Sequence, residues 1–544
     1  MRALVAAAVL WAGAAGAQTA YVNANGYTLD DDGALRRFST LVVGDDGRVM
    51  ATLADGVAVS AQRTVDVGGR TLLPGLIDAH GHVMSLGELA LRVDLNGTAS
   101  LEEAQARLRG YESSGAWVLG GGWNQERWGL GRFPTATELD AAIPDRPAYL
   151  SRVDGHAAWV NSRALALAGI TRDTPDPDGG RIERDAAGNA TGVLVDAAMR
   201  LVREKIPAPS AAEQDAALSK ALAIMASVGM TGVHDAGTTP ETWARYQRFA
   251  REGRLSARIY VMARGTEALA AMAPDGPIDW DARGLLAMRA MKLQADGALG
   301  SRGAWMREDY SDKPGERGLV FYEEPLLRRM IVESSAKGFQ VNVHAIGDAA
   351  NRAVLDAYAD VPAAVRAALR PRNEHAQIVN VADLPRFAEL GVIASVQPTH
   401  ATSDKGMAEA RVGELRLEGG YAWAKLIGSG ARLAGGSDFP VEPPNPFFGL
   451  HAAVTRMDRN GAPPEGWRAR EKLTMLQAFD AFTRGAAYAG HAEGVVGSLT
   501  PGKWADFIIV DRDPFATPAG GLWRTGVEAT YLAGSRVFVK DQRP

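Results

Sequence analysis

The chain has no cysteine in 544 residues. Disulfides and thiolate sites are therefore excluded, and any bound metal must be held by nitrogen and oxygen. Clustered positive charge is missing too. Lys and Arg number 59 against 64 Asp and Glu, for a formal net charge of −5, so nothing offers a footprint for nucleic acid. No segment combines membrane-spanning length with low charge. Gly435-Gly436 hint at a phosphate loop, but Ser437-Asp438 follow without the lysine such a loop needs. The GxSxG elbow of a serine hydrolase is also absent. Histidine is scarce, with nine in the chain, yet five of the nine sit in motifs.

Met1-Arg2 precede an apolar run, residues 3–12, and the small-residue end Ala15-Gly16-Ala17. That order of charge, core and small residues reads as a secretory signal, residues 1–17, cut after Ala17. The mature protein is expected to be exported, periplasmic or secreted, with no stable membrane span. A chain this long buries enough core to do without disulfides.

Short alternating segments follow at 20–24, 40–43, 48–53 and 64–67, with more at 506–510, 527–531 and 536–539. Turn residues punctuate them, so they read as an antiparallel β module. Residues 18–71 and 495–544 are thus expected to build one small sheet domain from both termini. The middle, 72–494, alternates strand and helix. Candidate strands are 72–78, 231–235, 258–262, 289–295, 340–345, 372–375, 391–396 and 432–436, with helices such as 211–228, 324–337 and 349–369 between most of them. Eight strands joined by helices predict an α/β fold of the (β/α)8 barrel type. Residues 84–210 are too long for a connector and read as a subdomain inserted over the barrel mouth.

Catalytic groups of such barrels sit at the C-terminal ends of the strands. His80 and His82 follow the first predicted strand, His344 ends the fifth, His375 ends the sixth and Asp438 follows the eighth. Alternation puts His80 and His82 on one side of an extended segment, where both can reach one ion. A lone strand-end histidine is usually structural, but four of them with an aspartate at the correct ends resist explanation by packing. Lys292 lies in the apolar fourth strand, where a free ammonium is costly to bury. Two outcomes are open. The amine is neutral and takes up carbon dioxide as a carbamate able to bridge two metal ions, or it pairs with Asp296 or Asp438.

The sequence resembles the amidohydrolase superfamily, and within it the YtcJ-like amidohydrolases of the amidohydrolase-3 group. The resemblance spans nearly all of the mature chain. It rests on LLPGLIDAHGHV, GGWNQERWGLGRFPTATELD, PDRPAYLSRVDGHAAWVNSRAL, MKLQADGALGSRGAWM, VNVHAIGDAANRAVLD, NEHAQIV, GGSDFPVEPPNPFFGLHAAVTR and GSLTPGKWADFIIVDRDP, in that order. It implies a (β/α)8 barrel with a composite β-sandwich-like domain. His80 and His82 would bind the more buried of two metals, Lys292 as a carbamate would bridge to the second, and His344 and His375 would hold that one. Asp438 would touch the buried metal and handle protons for the attacking water. Zinc is the expected metal, although nitrogen and oxygen ligation also admits iron, manganese or cobalt.

His156, in the insertion, is implied to point into the pocket as a catalytic and substrate-binding residue, touching substrate or the developing oxyanion. Its alternative is a hydrogen bond within the insertion. Trp123, with Trp128 and Trp159, is a candidate for an apolar pocket wall, although a tryptophan is more often core. Arg302, after the fourth strand, is a candidate for the mouth, although an exposed arginine is usually only solvated. His234 reads as structural or supporting, and no partner can be argued for His400, His451 or His491.

The expectation is a two-metal hydrolase acting on the C–N bond of an amide in a small organic substrate, possible as a homodimer. Two alternatives stand beside it. One is an esterase, lactonase or isomerase on the same site. The other is a metal-stabilised binding protein without turnover.

Overall fold

The computed structural model describes residues 18–112 and 115–541. The leader read in residues 1–17 lies outside them. The chain divides into two compact units, one running to His82 and resuming at Leu222, the other Val83–Ala221.

The larger unit is built on eight parallel strands: β1 (Leu76–Gly81), β2 (Met230–Thr238), β3 (Arg258–Arg264), β4 (Leu286–Gln294), β5 (Gln340–Ala345), β6 (Arg372–His375), β7 (Ile393–Val396) and β8 (Leu433–Gly435). They pair in sequence order. Nearly every strand residue is buried, as in β5 and β6, where all are. A parallel strand covered on both faces needs such a run, which is why these segments read as continuous apolar stretches.

Closure occurs at the functional end. Gly81 forms a parallel bridge with Phe439, the Asp438 N–H donates to His80 O at 2.7 Å, and the His82 N–H donates to Phe439 O at 2.8 Å. A side chain at Gly81 would enter the Phe439 ring, with carbon atoms 2.3 Å apart. The glycine between the two histidines is therefore what lets the barrel ends meet. Asp78 staples the same seam, accepting from the His80 N–H at 3.0 Å and from the Ser437 N–H and hydroxyl at 3.1 and 2.6 Å.

All eight expected barrel strands are present, but the first is displaced. Residues 72–78 are not one strand. Thr71–Pro74 belongs to a separate six-stranded sheet, and β1 starts after Gly75 and runs on through His80. A Cβ at Gly75 would lie 2.1 Å from Thr231 Oγ1. The expected helix 349–369 is two helices, Asp348–Ala359 and Ala363–Leu369. Pro362, between them, lacks an amide hydrogen and pushes the residue before it out of the helical region.

The terminal segments form two sheets rather than one antiparallel module. A four-stranded sheet uses only N-terminal residues, in the order Val49–Leu53, Thr40–Val43, Thr19–Val22, Arg63–Asp66, and its last pair is parallel. The six-stranded sheet mixes both ends of the chain: Ser535–Val539, Val527–Leu532, Phe507–Val510, Thr71–Pro74, Asn25–Leu29, Leu35–Phe38. One core serves both, with Tyr21, Leu41 and Val49 against Leu72, Phe507 and Tyr531. Phe507 stacks on Tyr531 with centroids 4.2 Å apart.

The unit Val83–Ala221 has its own six-stranded sheet, in which Ala148–Arg152 and Ala157–Val160 are central. Its core gathers Val93, Leu108, Trp123, Trp128, Leu150 and Trp159.

Candidate metal centre

The seam between β1 and β8 delivers three donors to one point. His80 Nε2 lies 3.6 Å and His82 Nε2 3.0 Å from Asp438 Oδ1. His375 packs against His80 and His344, with ring centroids 4.8 and 4.4 Å away. Lys292 joins them from β4. All six side chains line one cavity of about 710 Å³.

His80, His344 and His375 are prepared as neutral donors. The His80 Nδ1–H donates to Glu374 Oε2 at 2.5 Å, because a carboxylate can only accept. Its Nε2 is thereby left with a lone pair facing the cavity. The His375 Nδ1–H similarly donates to Gln397 Oε1 at 2.8 Å. Burial, reinforced by the charge on Lys292, pulls the His80 imidazole down to about 4 and His344 down to about 3. Burial and the neighbouring rings hold His375 well below the usual range. All three are unprotonated at neutral pH.

Asp438 is the counterpart. Burial alone would raise its carboxyl, but the His82 hydrogen bond and the rings of His80, His375 and His400 outweigh that and hold it ionised. The Nε2 atoms of His80, His344 and His400 are buried with no hydrogen-bond partner. A buried polar atom left unpaired costs about 1–3 kcal/mol, and three in one cavity match the lone pairs a metal ion would take up. An all nitrogen and oxygen set, with the second ring nitrogens of His80 and His375 already anchored, fits divalent metal.

Burial depresses the Lys292 amine. The pairing with Asp296 weighed above is not made. That carboxylate accepts instead from the backbone N–H groups of Trp305, Ile346 and Gly347 at 2.9, 3.0 and 2.8 Å. No ion pair joins Lys292 to Asp438 among the described residues.

The three remaining expected pocket residues have partners of their own. Trp123 is fully buried in the core of the smaller unit, beside Trp128 and Trp159, and its indole N–H donates to Leu150 O at 2.8 Å. It has no face left for a ligand. Truncating Trp123→Ala is expected to cost about 3–5 kcal/mol, read as a lower unfolding temperature of the metal-loaded protein. Arg302 is not among the cavity's lining residues. Its guanidinium is committed to Asp312, at 3.0 and 2.8 Å. The His156 side chain is 76% exposed and donates to Asp196 within its own unit at 2.8 Å.

Four residues escaped the sequence reading. Glu374 sits beside His375 in the NEH motif and anchors His80. Arg372 pairs with Glu374 at 2.8 Å and donates to His234 Nδ1 at 2.7 Å, which gives His234 its supporting role. Arg264, at the end of β3, lines the cavity in place of Arg302. His400, in the QPTH segment, faces Asp438 Oδ2 at 3.8 Å. A strand-end rule misses it because it lies in the helix Pro398–Arg416 that follows β7.

Known proteins of similar sequence and fold identify the family. The model of the amidohydrolase family matches residues 63–538. YtcJ of Bacillus subtilis (strain 168), named as an amidohydrolase, is 33% identical over 491 residues, covering 88% of this chain and 90% of that protein. The N-substituted formamide deformylase of Arthrobacter pascens is 30% identical, over 94% of this chain and 97% of that protein. The crystal structure of an uncharacterized metal-dependent hydrolase from Pyrococcus horikoshii OT3 superposes with a TM-score of 0.75 at 28% identity, over 93% of this chain and 99% of that one. With its closed barrel and histidine-aspartate centre, the chain belongs to the amidohydrolase family, among its YtcJ-like metal-dependent hydrolases.

Proposed function

We propose that the protein hydrolyses an amide-type C–N bond of a small organic substrate with water activated at a pair of divalent metal ions, zinc by preference. The observation that carries this reading is the convergence of His80, His82, Lys292, His344, His375 and Asp438 on one cavity. The relative from Arthrobacter pascens, named for removing formyl groups from substituted formamides, supports the choice of a C–N bond.

His80, His82 and Asp438 would hold one ion, and His344 and His375 the second. Lys292, whose amine burial depresses, would take up carbon dioxide with loss of a proton and offer carbamate oxygens to both. Such a pair lowers the pKa of a bound water towards neutrality and polarises a carbonyl. Asp438 accepts the proton of the attacking water and returns it to the departing nitrogen. The leader-like residues 1–17 support export as the setting in which this occurs.

Removing metal from the purified protein with a chelator is expected to abolish turnover of N-substituted formamides and small amides, and adding zinc to restore it. A panel with matched esters decides the bond. Cleavage of esters alone would overturn the C–N assignment, and turnover indifferent to the chelator would overturn the metal reading.

A further inference from the structure

Two groups of donors meet at Asp438. One contains His80 and His82. In the other, one ligand atom each from His375, His400 and Asp438 lie within 4.8 Å of one another. The carboxylate is shared between them. Oδ1 faces His80 and His82 at 3.6 and 3.0 Å, and Oδ2 faces His400 Nε2 at 3.8 Å.

His400 stands in the first turn of the helix Pro398–Arg416. It enters the cavity after β7, a strand that contributes none of the six ligands proposed above. A histidine at an exposed helix start would turn its ring to water. This one is 13% exposed, its Nε2 is buried without a partner, and its ring stacks on His375 at 5.9 Å and 17°. The separation from Asp438 Oδ2 is too long for a hydrogen bond. It is close to what two ligands of one ion require, since donors about 2.1 Å from a tetrahedral zinc lie roughly 3.4 Å apart. The same reasoning covers the 3.6 Å between His80 Nε2 and Asp438 Oδ1.

We propose that His400 is a further metal ligand, holding the second ion with His375 and with Asp438 Oδ2. The proposal rests on the two-metal reading and extends it. Asp438 then spans both ions, one oxygen to each, alongside the Lys292 carbamate. His344 stays with the second ion through its contact with His375.

The test uses the full chain stripped by chelator and titrated with cobalt(II). Metal per chain is counted after gel filtration, and the visible absorption of bound cobalt is recorded. Wild type is compared with His400→Ala and His400→Gln, the latter in case alanine disturbs folding. His375→Ala serves as a control for loss of the second ion and His451→Ala as a histidine outside the cavity. Wild type and His451→Ala are expected to retain about two ions. Both His400 variants are expected to bind the second ion at least 10–100-fold more weakly, the loss typical of even an outer partner of a ligand, and to show an altered cobalt spectrum. Two ions held at wild-type affinity by the His400 variants would overturn the proposal, whatever happens to turnover. A wild type that holds a single ion would overturn it too, and would place the fault in the two-metal reading, because the wild type itself then fails.

Discussion

Asp438→Asn is expected to lower kcat by about 10²–10⁴-fold, the range for loss of a positioned acid or base, with KM nearly unchanged. The substitution alters one property. Position is fixed by the main chain, whose N–H donates to His80 O at 2.7 Å and whose φ is 61°. An amide of the same shape still presents Oδ1 to the His80 and His82 side. It cannot take a proton from water, whereas the carboxyl it replaces is held well below the usual carboxylate range. An interaction used only in the transition state lowers kcat and kcat/KM together, and that pattern is the one to seek in steady-state kinetics. Metal content must be counted on the same sample. A fall in kcat with metal retained supports proton transfer. Equal turnover in the two proteins would sink the role, and a loss that follows missing metal would leave Asp438 as a ligand only.

The barrel was legible because parallel strands buried on both faces are apolar runs of the right length, and because the donors lie at strand ends. Two terminal strands went unread because their sequences do not look like strands. Asn25–Leu29 opens with Asn25-Gly26, and Leu35–Phe38 carries two exposed arginines. Gly26 is there because the Phe38 ring covers it, 2.2 Å from where a Cβ would stand, a constraint set by a neighbour twelve residues along the chain. Trp123 was misplaced because a glycine- and tryptophan-rich stretch signals apolar packing without saying against what. The partner of His80 was hidden by a local irregularity. Alternation along β6 turns Arg372 and Glu374 to one side and would turn His375 to the other. His375 has a φ of 75°, so the chain twists at that point and both Glu374 and His375 reach the centre. His400 was hidden for a related reason, since its approach is from a helix and not from the end of a strand.

Glu374→Ala is expected to be the most destabilising single change at the centre, costing about 3–5 kcal/mol, as breaking one side of a buried ion pair does. Glu374 and Arg372 are both fully buried. The guanidinium also donates to Ala79 O at 2.5 Å and Ser395 Oγ at 3.0 Å, so it cannot withdraw to water when its counter-charge is removed. Burial by itself would raise the Glu374 carboxyl, but Arg372, His80 and Lys292 together hold it well below the ordinary carboxylate range. A carboxyl depressed in the folded state adds stability above its unfolded pKa and loses it as pH falls towards the folded one. The gap between wild type and variant should therefore be full at neutral pH and narrow on acidification. Glu374→Gln separates the two functions of the residue. It keeps an oxygen for the His80 Nδ1–H, so the ring stays oriented, yet it still strands the Arg372 charge. Urea midpoints of the metal-free proteins should thus fall for both variants. Metal affinity should fall further for alanine, by about the 10–100-fold that follows loss of a ligand's outer partner. Midpoints equal to wild type at neutral pH would show that the Arg372 charge is compensated elsewhere. Equal metal affinity in the alanine and glutamine variants would show that His80 does not depend on Glu374 for its orientation.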